Sequence, residues 1–217
     1  FWKDNGTYLG EEQIKYVEDT LAKNADVRHT FLFMHHPVWL DPTNKEWPGI
    51  EAALKGHAHT VFAGHVHRTM FEKHNGGQYL VVSTTKGKKI LSKAPAAPEL
   101  GMFPHWTQVA VADGNAELTL IEPVTSRTWP ANIAPTANAM ALRNLIKAEA
   151  ILPERLGDGT LKTGLVTEIT NALPGDITVT SRMIHPLKDK WKPVSREDAK
   201  LTVNVASGKA TSLTQHF

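Results

Sequence analysis

The chain has 217 residues, of which 24 are basic and 22 acidic, so its formal net charge is +2. A hydrophobic fraction of 41% suffices for a packed core and excludes a disordered, collagen-like or coiled-coil chain, and no apolar run approaches the ~18 residues of a membrane-spanning helix. The near balance of charge gives no nucleic-acid-binding signature. Because the chain has no cysteine, any metal must be held by nitrogen and oxygen, and 11 histidines are available for this.

Helices alternate with strands in the first part of the chain, and hairpins follow. Ile14, Val17 and Leu21 recur at helical spacing, and the apolar run from Phe31 to Met34 stops at Pro37. The predicted elements are helices over residues 10–24 and 48–55, buried strands over 28–34 and 60–63, and hairpins with turns at Asn75-Gly76-Gly77 and Asp113-Gly114-Asn115. This order indicates one side of an α/β sandwich.

The composition changes near residue 123, where prolines lie among Thr, Ser and Asn. A helix rich in Ala, Leu and Lys is predicted over residues 137–150. From about residue 157 the pattern is all β, with strands over 165–169, 177–183 and 201–205. The sequence therefore predicts an α/β domain over 1–122, a connector with a helix over 123–156, and a small Ig-like β-sandwich over 157–217.

Histidines follow two of the predicted strands directly. Met34-His35-His36-Pro37 comes after the first strand, and Gly64-His65-Val66-His67 comes after the second. Parallel α/β sheets place reactive groups at the carboxyl ends of their strands, so imidazoles from both motifs can converge on a metal. A glycine at position 64 is expected to let the backbone turn sharply. Zinc, iron, manganese and nickel all accept imidazole, so the ligand type leaves the metal open.

These two motifs resemble those of the calcineurin-like metallophosphoesterases, and the likeness covers roughly residues 1–122. The resemblance implies the C-terminal part of a calcineurin-like α/β sandwich that binds two divalent or trivalent ions such as Fe, Mn or Zn. It implies that His35 and His65 bind one ion and His67 the other. The family pattern gives His36 no assured role, and we expect that side chain to support the ligands or contact substrate. The resemblance also implies that a hydroxide bridging the two ions attacks a phosphomonoester or phosphodiester of a small molecule or macromolecule.

Three further family motifs, Asp-x-His, Gly-Asp-x-x-Asp and Gly-Asn-His-Asp/Glu, do not occur in this sequence. Since the chain also begins with Phe1, we expect it to be a fragment of a phosphoesterase that is inactive alone. Two imidazoles at one site and a single imidazole at the other are expected to hold metal poorly.

Several other residues could have a role at a functional site, but for most of them the sequence favours a structural or solvent-exposed role. A second Gly-His-x-His, with His57 and His59, is predicted to be solvated histidines at a helix end. The run Lys86-Gly87-Lys88-Lys89 is predicted to be a solvated loop and His105 to be structural. Trp39 and Trp47 fit core packing and a substrate rim equally well.

The sequence leaves two functions open. The first is the phosphohydrolase; the second is a non-catalytic module whose β-sandwich docks protein or carbohydrate. An appended Ig-like domain favours a secreted or periplasmic location. Neither the substrate nor the oligomeric state can be predicted from the residues.

Overall fold

A computed structural model describes residues 9–85, 97–182, 195 and 200–216. Within these residues the chain is mixed α/β and mostly strand, with three α-helices and several separate sheets. It divides into two compact units, residues 1–139 and 140–217. No helix in the described part of the chain is long and apolar enough to cross a membrane.

A four-stranded sheet forms the centre of the first unit. Its strands are β1 (Thr30–Phe33), β2 (His59–Ala63), β3 (Met70–His74) and β4 (Gly77–Val81), in the order β1-β2-β4-β3. Strands β1, β2 and β4 run parallel, whereas β3 runs antiparallel to β4. The carboxyl ends of the three parallel strands therefore lie along one edge of the sheet.

The two faces of this sheet are covered by different layers. On one face lie α1 (Glu11–Lys23) and α2 (Trp47–Leu54), which bury Leu21, Ile50 and Leu54 together with Val61 and Tyr79 of the sheet. On the other face lies a second sheet of β5 (Trp106–Ala112), β6 (Asn115–Ile121) and β7 (Thr128–Pro130). A second core there contains Phe62 and Leu80 of the first sheet and Leu118 and Leu120 of β6.

Sequence patterns predicted most of these elements. The predicted helices 10–24 and 48–55 correspond to α1 and α2, and the fully buried 60–63 strand lies within β2. Both predicted hairpins form, as β3–β4 and β5–β6. At the first turn Asn75 and Gly76 both have positive φ, 49° and 78°, which is the backbone of a type I′ turn.

The prediction that the first strand is buried was wrong, because Thr30, Phe31 and Leu32 are only partly buried and Phe33 is 72% exposed. Strand β1 stands at the edge of its sheet and pairs only with β2 among the described strands. An apolar run indicates a strand that can be covered on both faces, but it does not show whether other elements in fact cover the strand.

Residues 123–156 contain more regular secondary structure than the predicted connector with a helix. Strand β7 pairs with β6, and a short α3 (Thr136–Arg143) follows. The helix predicted over 137–150 is wrong beyond Arg143, because β8 (Ile146–Arg155) pairs with β9 (Leu161–Thr170) along its length. The Ala-, Lys- and Glu-rich residues of β8 have helical propensity, and cross-strand pairing overrides it. Pro153 lies at a register shift in β8, where no ladder hydrogen bond is required of it.

The second unit is all β in its described residues after α3. One sheet has the order β12-β9-β8, with β12 spanning Ala210–His216. The other pairs β10 (Ile177–Arg182) with β11 (Lys200–Val205) in antiparallel register. The predicted strands 165–169 and 201–205 lie within β9 and β11, and 177–183 corresponds to β10 up to residue 182. The Ig-like arrangement stays a prediction.

Candidate metal centre

The histidine motifs lie side by side because the strands before them are parallel neighbours. In the register of β1 and β2, Phe33 pairs with Phe62. Two further backbone hydrogen bonds extend this pairing past the strand ends: Met34 N–H donates to the Phe62 carbonyl at 3.0 Å, and Gly64 N–H donates to the His35 carbonyl at 3.0 Å. The backbone of His35 is therefore fixed beside that of Gly64 and His65.

Three imidazoles meet at this edge. His35 Nε2 and His65 Nδ1 are 3.4 Å apart, and the ring centroids of His36 and His65 are 3.8 Å apart. One ring nitrogen from each of His35, His36 and His65 lies within 4.8 Å of the other two. His35 and His65 are exposed and His36 is partly buried. This triad of His35, His36 and His65 is the only such group of three or more histidine, aspartate and glutamate side chains within the described ranges.

The surroundings favour the neutral form of His36. Partial burial lowers the pKa of its imidazole, and protonated His65 and His35 would lower that pKa further by charge repulsion. A neutral ring keeps a lone pair free to coordinate a metal.

The backbone after β2 turns sharply, though not at the predicted glycine. His65 and His67 have positive φ, 63° and 55°, and Val66 N–H donates to the Gly64 carbonyl at 2.7 Å. Gly64 is outside the left-handed region, and a Cβ there would lie 3.8 Å from the His35 carbonyl oxygen, an ordinary contact. The expectation that Gly64 supplies the turn was therefore wrong. Histidine enters left-handed backbone more readily than most residues, although such conformations cost energy.

The four predicted site residues are placed differently from the family pattern. The structure brings His35 and His65 together, and His36, predicted to be supporting, lies directly beside them. His67 is exposed and does not belong to the triad; its carbonyl accepts a hydrogen bond from Ser83 Oγ at 3.4 Å. Positive φ at His65 sends the chain away from the extended path on which residues 65 and 67 would share one side.

The second Gly-His-x-His was predicted to be solvated, and this is wrong for His59. That residue is 2% exposed within β2, where its Nδ1 lies 2.7 Å from the His57 carbonyl oxygen and its Nε2 lies 3.3 Å from Tyr79 Oη. His59 is thus a hydrogen-bonded core histidine. A sequence signal was available, because His59 directly precedes the predicted buried strand 60–63. In the structure β2 begins at His59 and is buried throughout.

His105 and the two tryptophans are structural. His105 is fully buried, its Nδ1 lies 3.3 Å from Thr69 Oγ1, and burial lowers its pKa. Trp47 belongs to the core beneath the helices, and Trp39 packs against that core. The lysine run at 86–89 lies outside the described residues, so its prediction as a solvated loop stays untested.

An apolar groove of about 670 Å³ begins beside the triad. It runs between β1 and β5 and includes Met34 and Ala63, the residues just before His35 and Gly64. Phe33, Trp106, Val109 and Val111 line it and are exposed. Sequence reasoning missed this groove, because the strand pattern predicted the Trp106–Ala112 hairpin strand but not that six of its seven residues are exposed.

The triad suits one metal ion better than two. Zinc–nitrogen bonds of about 2.0–2.1 Å give a tetrahedral edge of about 3.3–3.4 Å. The 3.4 Å between His35 Nε2 and His65 Nδ1 matches this edge. Among the described residues, no carboxylate joins the triad to bridge two ions. Comparison with family models, curated proteins and solved structures finds no match to this chain.

Proposed function

We propose that this chain belongs to a metal-dependent phosphohydrolase of the calcineurin-like type, which cleaves phosphomonoesters or phosphodiesters. The observation that carries the proposal is the convergence of His35 and His65, from the carboxyl ends of two adjacent parallel strands, to a nitrogen separation of 3.4 Å. Two ring nitrogens at this distance can bind one ion without backbone movement, since hydrogen bonds fix both strand ends. A metal held there would supply a Lewis acid and an activated water for attack on phosphorus.

The described residues supply only part of such a centre. A binuclear site needs carboxylate ligands to offset the repulsion between two ions, and the described group contains imidazoles alone. We therefore propose that the remaining ligands, including those that join His67 at a second ion, come from polypeptide outside this sequence. The chain alone is then inactive.

The groove beside the triad is the surface on which that polypeptide would pack. Strand β1 has a free edge among the described strands, and so has β5. Both edges flank the groove, whose exposed apolar side chains form a contiguous patch of the kind that marks an interaction surface. A strand added at β1 would cover Phe33 and end next to His35, which is where further ligands are needed.

Hydrolysis of p-nitrophenyl phosphate and bis(p-nitrophenyl) phosphate tests the proposal. The protein expressed with the coding sequence upstream of Phe1 should hydrolyse at least one of them with Mn²⁺, Fe²⁺ or Zn²⁺ present, whereas the 217-residue chain should not. His65→Ala and His67→Ala should each lower kcat by orders of magnitude. The matched control is His57→Ala, since His59 is buried in the core and its removal would damage the fold.

Full activity in His65→Ala, or equal losses in His65→Ala and His57→Ala, would overturn the proposal. Unchanged activity in His67→Ala alone would leave a phosphohydrolase that uses one ion. An upstream sequence without carboxylate motifs would remove the source of the missing ligands and contradict the binuclear centre.

A binding module is the second candidate, and exposed apolar residues on the second unit favour it. Ile146, Leu152, Leu156 and Leu161 are 40–87% exposed on or near β8, an edge strand of its sheet. Such a surface suits a protein partner. Loss of partner binding in Leu152→Ser, with the metal-site variants unaffected, would favour this function over catalysis.

A further inference from the structure

We infer that His36 is a metal ligand and that the described residues alone form a site for a single ion, coordinated by the imidazoles of His35, His36 and His65. This differs from the family pattern, in which His35 and His65 share an ion and His36 has no assured role. The inference concerns binding of a metal and holds whether or not the protein hydrolyses phosphoesters.

The first step is the pair already in place. His35 Nε2 and His65 Nδ1 are 3.4 Å apart, so a zinc-sized ion bound about 2.0–2.1 Å from each nitrogen would have close to a tetrahedral angle between its two bonds. The two rings are nearly perpendicular, at 79°, with centroids 5.2 Å apart. Neither backbone has to move, because the bond from Gly64 N–H to the His35 carbonyl ties the two segments together.

The second step is the position of His36. Its ring centroid is 3.8 Å from that of His65 and 4.9 Å from that of His35. The ligand nitrogens of the triad lie within 4.8 Å of one another, whereas two nitrogens bound to one tetrahedral zinc ion are about 3.3–3.4 Å apart. The His36 nitrogen therefore has to move by roughly 1.5 Å at most to reach the ion. Side-chain rotation can provide this shift, while the bond from Val38 N–H to the His36 carbonyl, 2.9 Å long, holds the backbone.

The donor set selects the ion. Three neutral nitrogens without a carboxylate suit Zn²⁺, Co²⁺, Ni²⁺ and Cu²⁺, whereas Mg²⁺ and Ca²⁺ require oxygen ligands. A fourth coordination position is left for water or substrate, which is the arrangement of three-histidine catalytic zinc sites. His67 is excluded from this site by its position outside the triad.

Titration of the 217-residue chain with Co²⁺ tests the inference, because tetrahedral Co²⁺ absorbs strongly in the visible. We expect one equivalent of Co²⁺ to bind with a tetrahedral spectrum and Zn²⁺ to displace it. His36→Ala should weaken binding at least 10-fold and change the spectrum. His67→Ala and His57→Ala should bind as the wild type does, and circular dichroism checks that every variant is folded.

Imidazole ¹⁵N resonances give a second measurement that needs no substitution. Addition of Zn²⁺ should shift one ring nitrogen each of His35, His36 and His65 and leave those of His67 unmoved. Absence of Co²⁺ binding, unchanged affinity in His36→Ala, or a zinc-dependent shift at His67 in place of His36 would each overturn the inference. Absence of phosphoesterase activity in the complete protein would contradict the proposed function and leave this inference untouched, since the Co²⁺ titration measures metal binding and needs no turnover.

Discussion

At the scale of single residues, the triad depends on an unusual backbone. Both His65 and His67 have positive φ, and no glycine occupies either position. Such strain is commonly retained where it places a functional group, and here the turn at His65 aims its ring at His35 and His36. The glycine that the motif supplies, Gly64, is not strained and is not tightly packed.

Two glycine substitutions should therefore differ in effect. A Cβ at Gly64 would lie 3.8 Å from the nearest atom, so Gly64→Ala should change the free energy of unfolding by less than about 1 kcal/mol. A Cβ at Gly77 would overlap His59 Nε2, whose ring is buried and hydrogen-bonded, so Gly77→Ala should cost about 1–3 kcal/mol. Urea unfolding measures both; a larger loss for Gly64→Ala would contradict the site geometry.

A pH dependence of stability is expected at Glu122. Thr125 Oγ1 and Trp129 Nε1 donate to its carboxylate, and with Arg127 nearby these hydrogen bonds lower the pKa of Glu122 despite its burial. The carboxylate therefore stabilises the fold above the ordinary glutamate pKa of 4.5, and this contribution is lost as the pH falls through the lowered value.

Removing the Glu122 charge should reveal this contribution. Glu122→Gln should be less stable than the wild type at pH 7, by about 1–3 kcal/mol, and the difference should shrink as the pH is lowered. Tryptophan fluorescence, to which Trp129 beside Glu122 contributes, follows unfolding. If the stability difference between Glu122→Gln and the wild type instead grew toward low pH, the predicted direction of the pH dependence would be wrong.

At the scale of whole elements, local patterns predicted what local forces determine. The spacing of Ile14, Val17 and Leu21 predicts the ends of α1 to within one residue. The backbone preference of Asn75-Gly76 determines the turn between β3 and β4. The carboxyl ends of β1 and β2 could be placed together because parallel neighbours share an edge, and this predicted that imidazoles of the two motifs converge. The family resemblance, not the geometry, selected His35 and His65 among them.

The predictions that were wrong or missing concern features that depend on contacts between residues distant in sequence. Strand β8 is helix-like in composition and is a strand only because β9 pairs with it. Strand β12 was missed because Thr, Ser and Gln alternate with few apolar residues along it. The proximity of His36 to His65, and the exposure of Phe33 at a sheet edge, follow from tertiary arrangement that no short pattern records.

Asn171 links the elements of the second unit. Fully buried, its Nδ2 donates to the carbonyls of Val205 and Gly175, both at 2.9 Å, and its Oδ1 accepts from Leu173 N–H at 3.0 Å. Asn171→Ala would remove the partner of the buried Val205 carbonyl and of the buried Leu173 N–H, and of the partly buried Gly175 carbonyl, so we expect a loss of about 2–4 kcal/mol in thermal unfolding. The control Thr178→Ala removes only an exposed hydrogen bond to Asn204 and should cost less than about 0.5 kcal/mol. Equal effects would contradict a central role for Asn171.

At the scale of the whole molecule, the groove between β1 and β5 determines how the 217 residues behave in solution. Its exposed phenylalanine, tryptophan and valine side chains should make the chain associate as concentration rises. Phe33→Ser and Val111→Ser should reduce the light scattering of concentrated samples, whereas Tyr16→Ser, an exposed position on α1 away from the groove, should not. A monodisperse wild-type monomer at high concentration would contradict this account of the groove.

The central claim is that His35 and His65 hold a metal, and the metal content of purified protein tests it most directly. Inductively coupled plasma mass spectrometry should find a transition metal bound to the protein expressed with its upstream coding sequence. His35→Ala and His65→Ala should both lose metal, and His57→Ala should retain it. A wild-type protein without bound transition metal, or variants at positions 35 and 65 that keep the wild-type content, would contradict the claim.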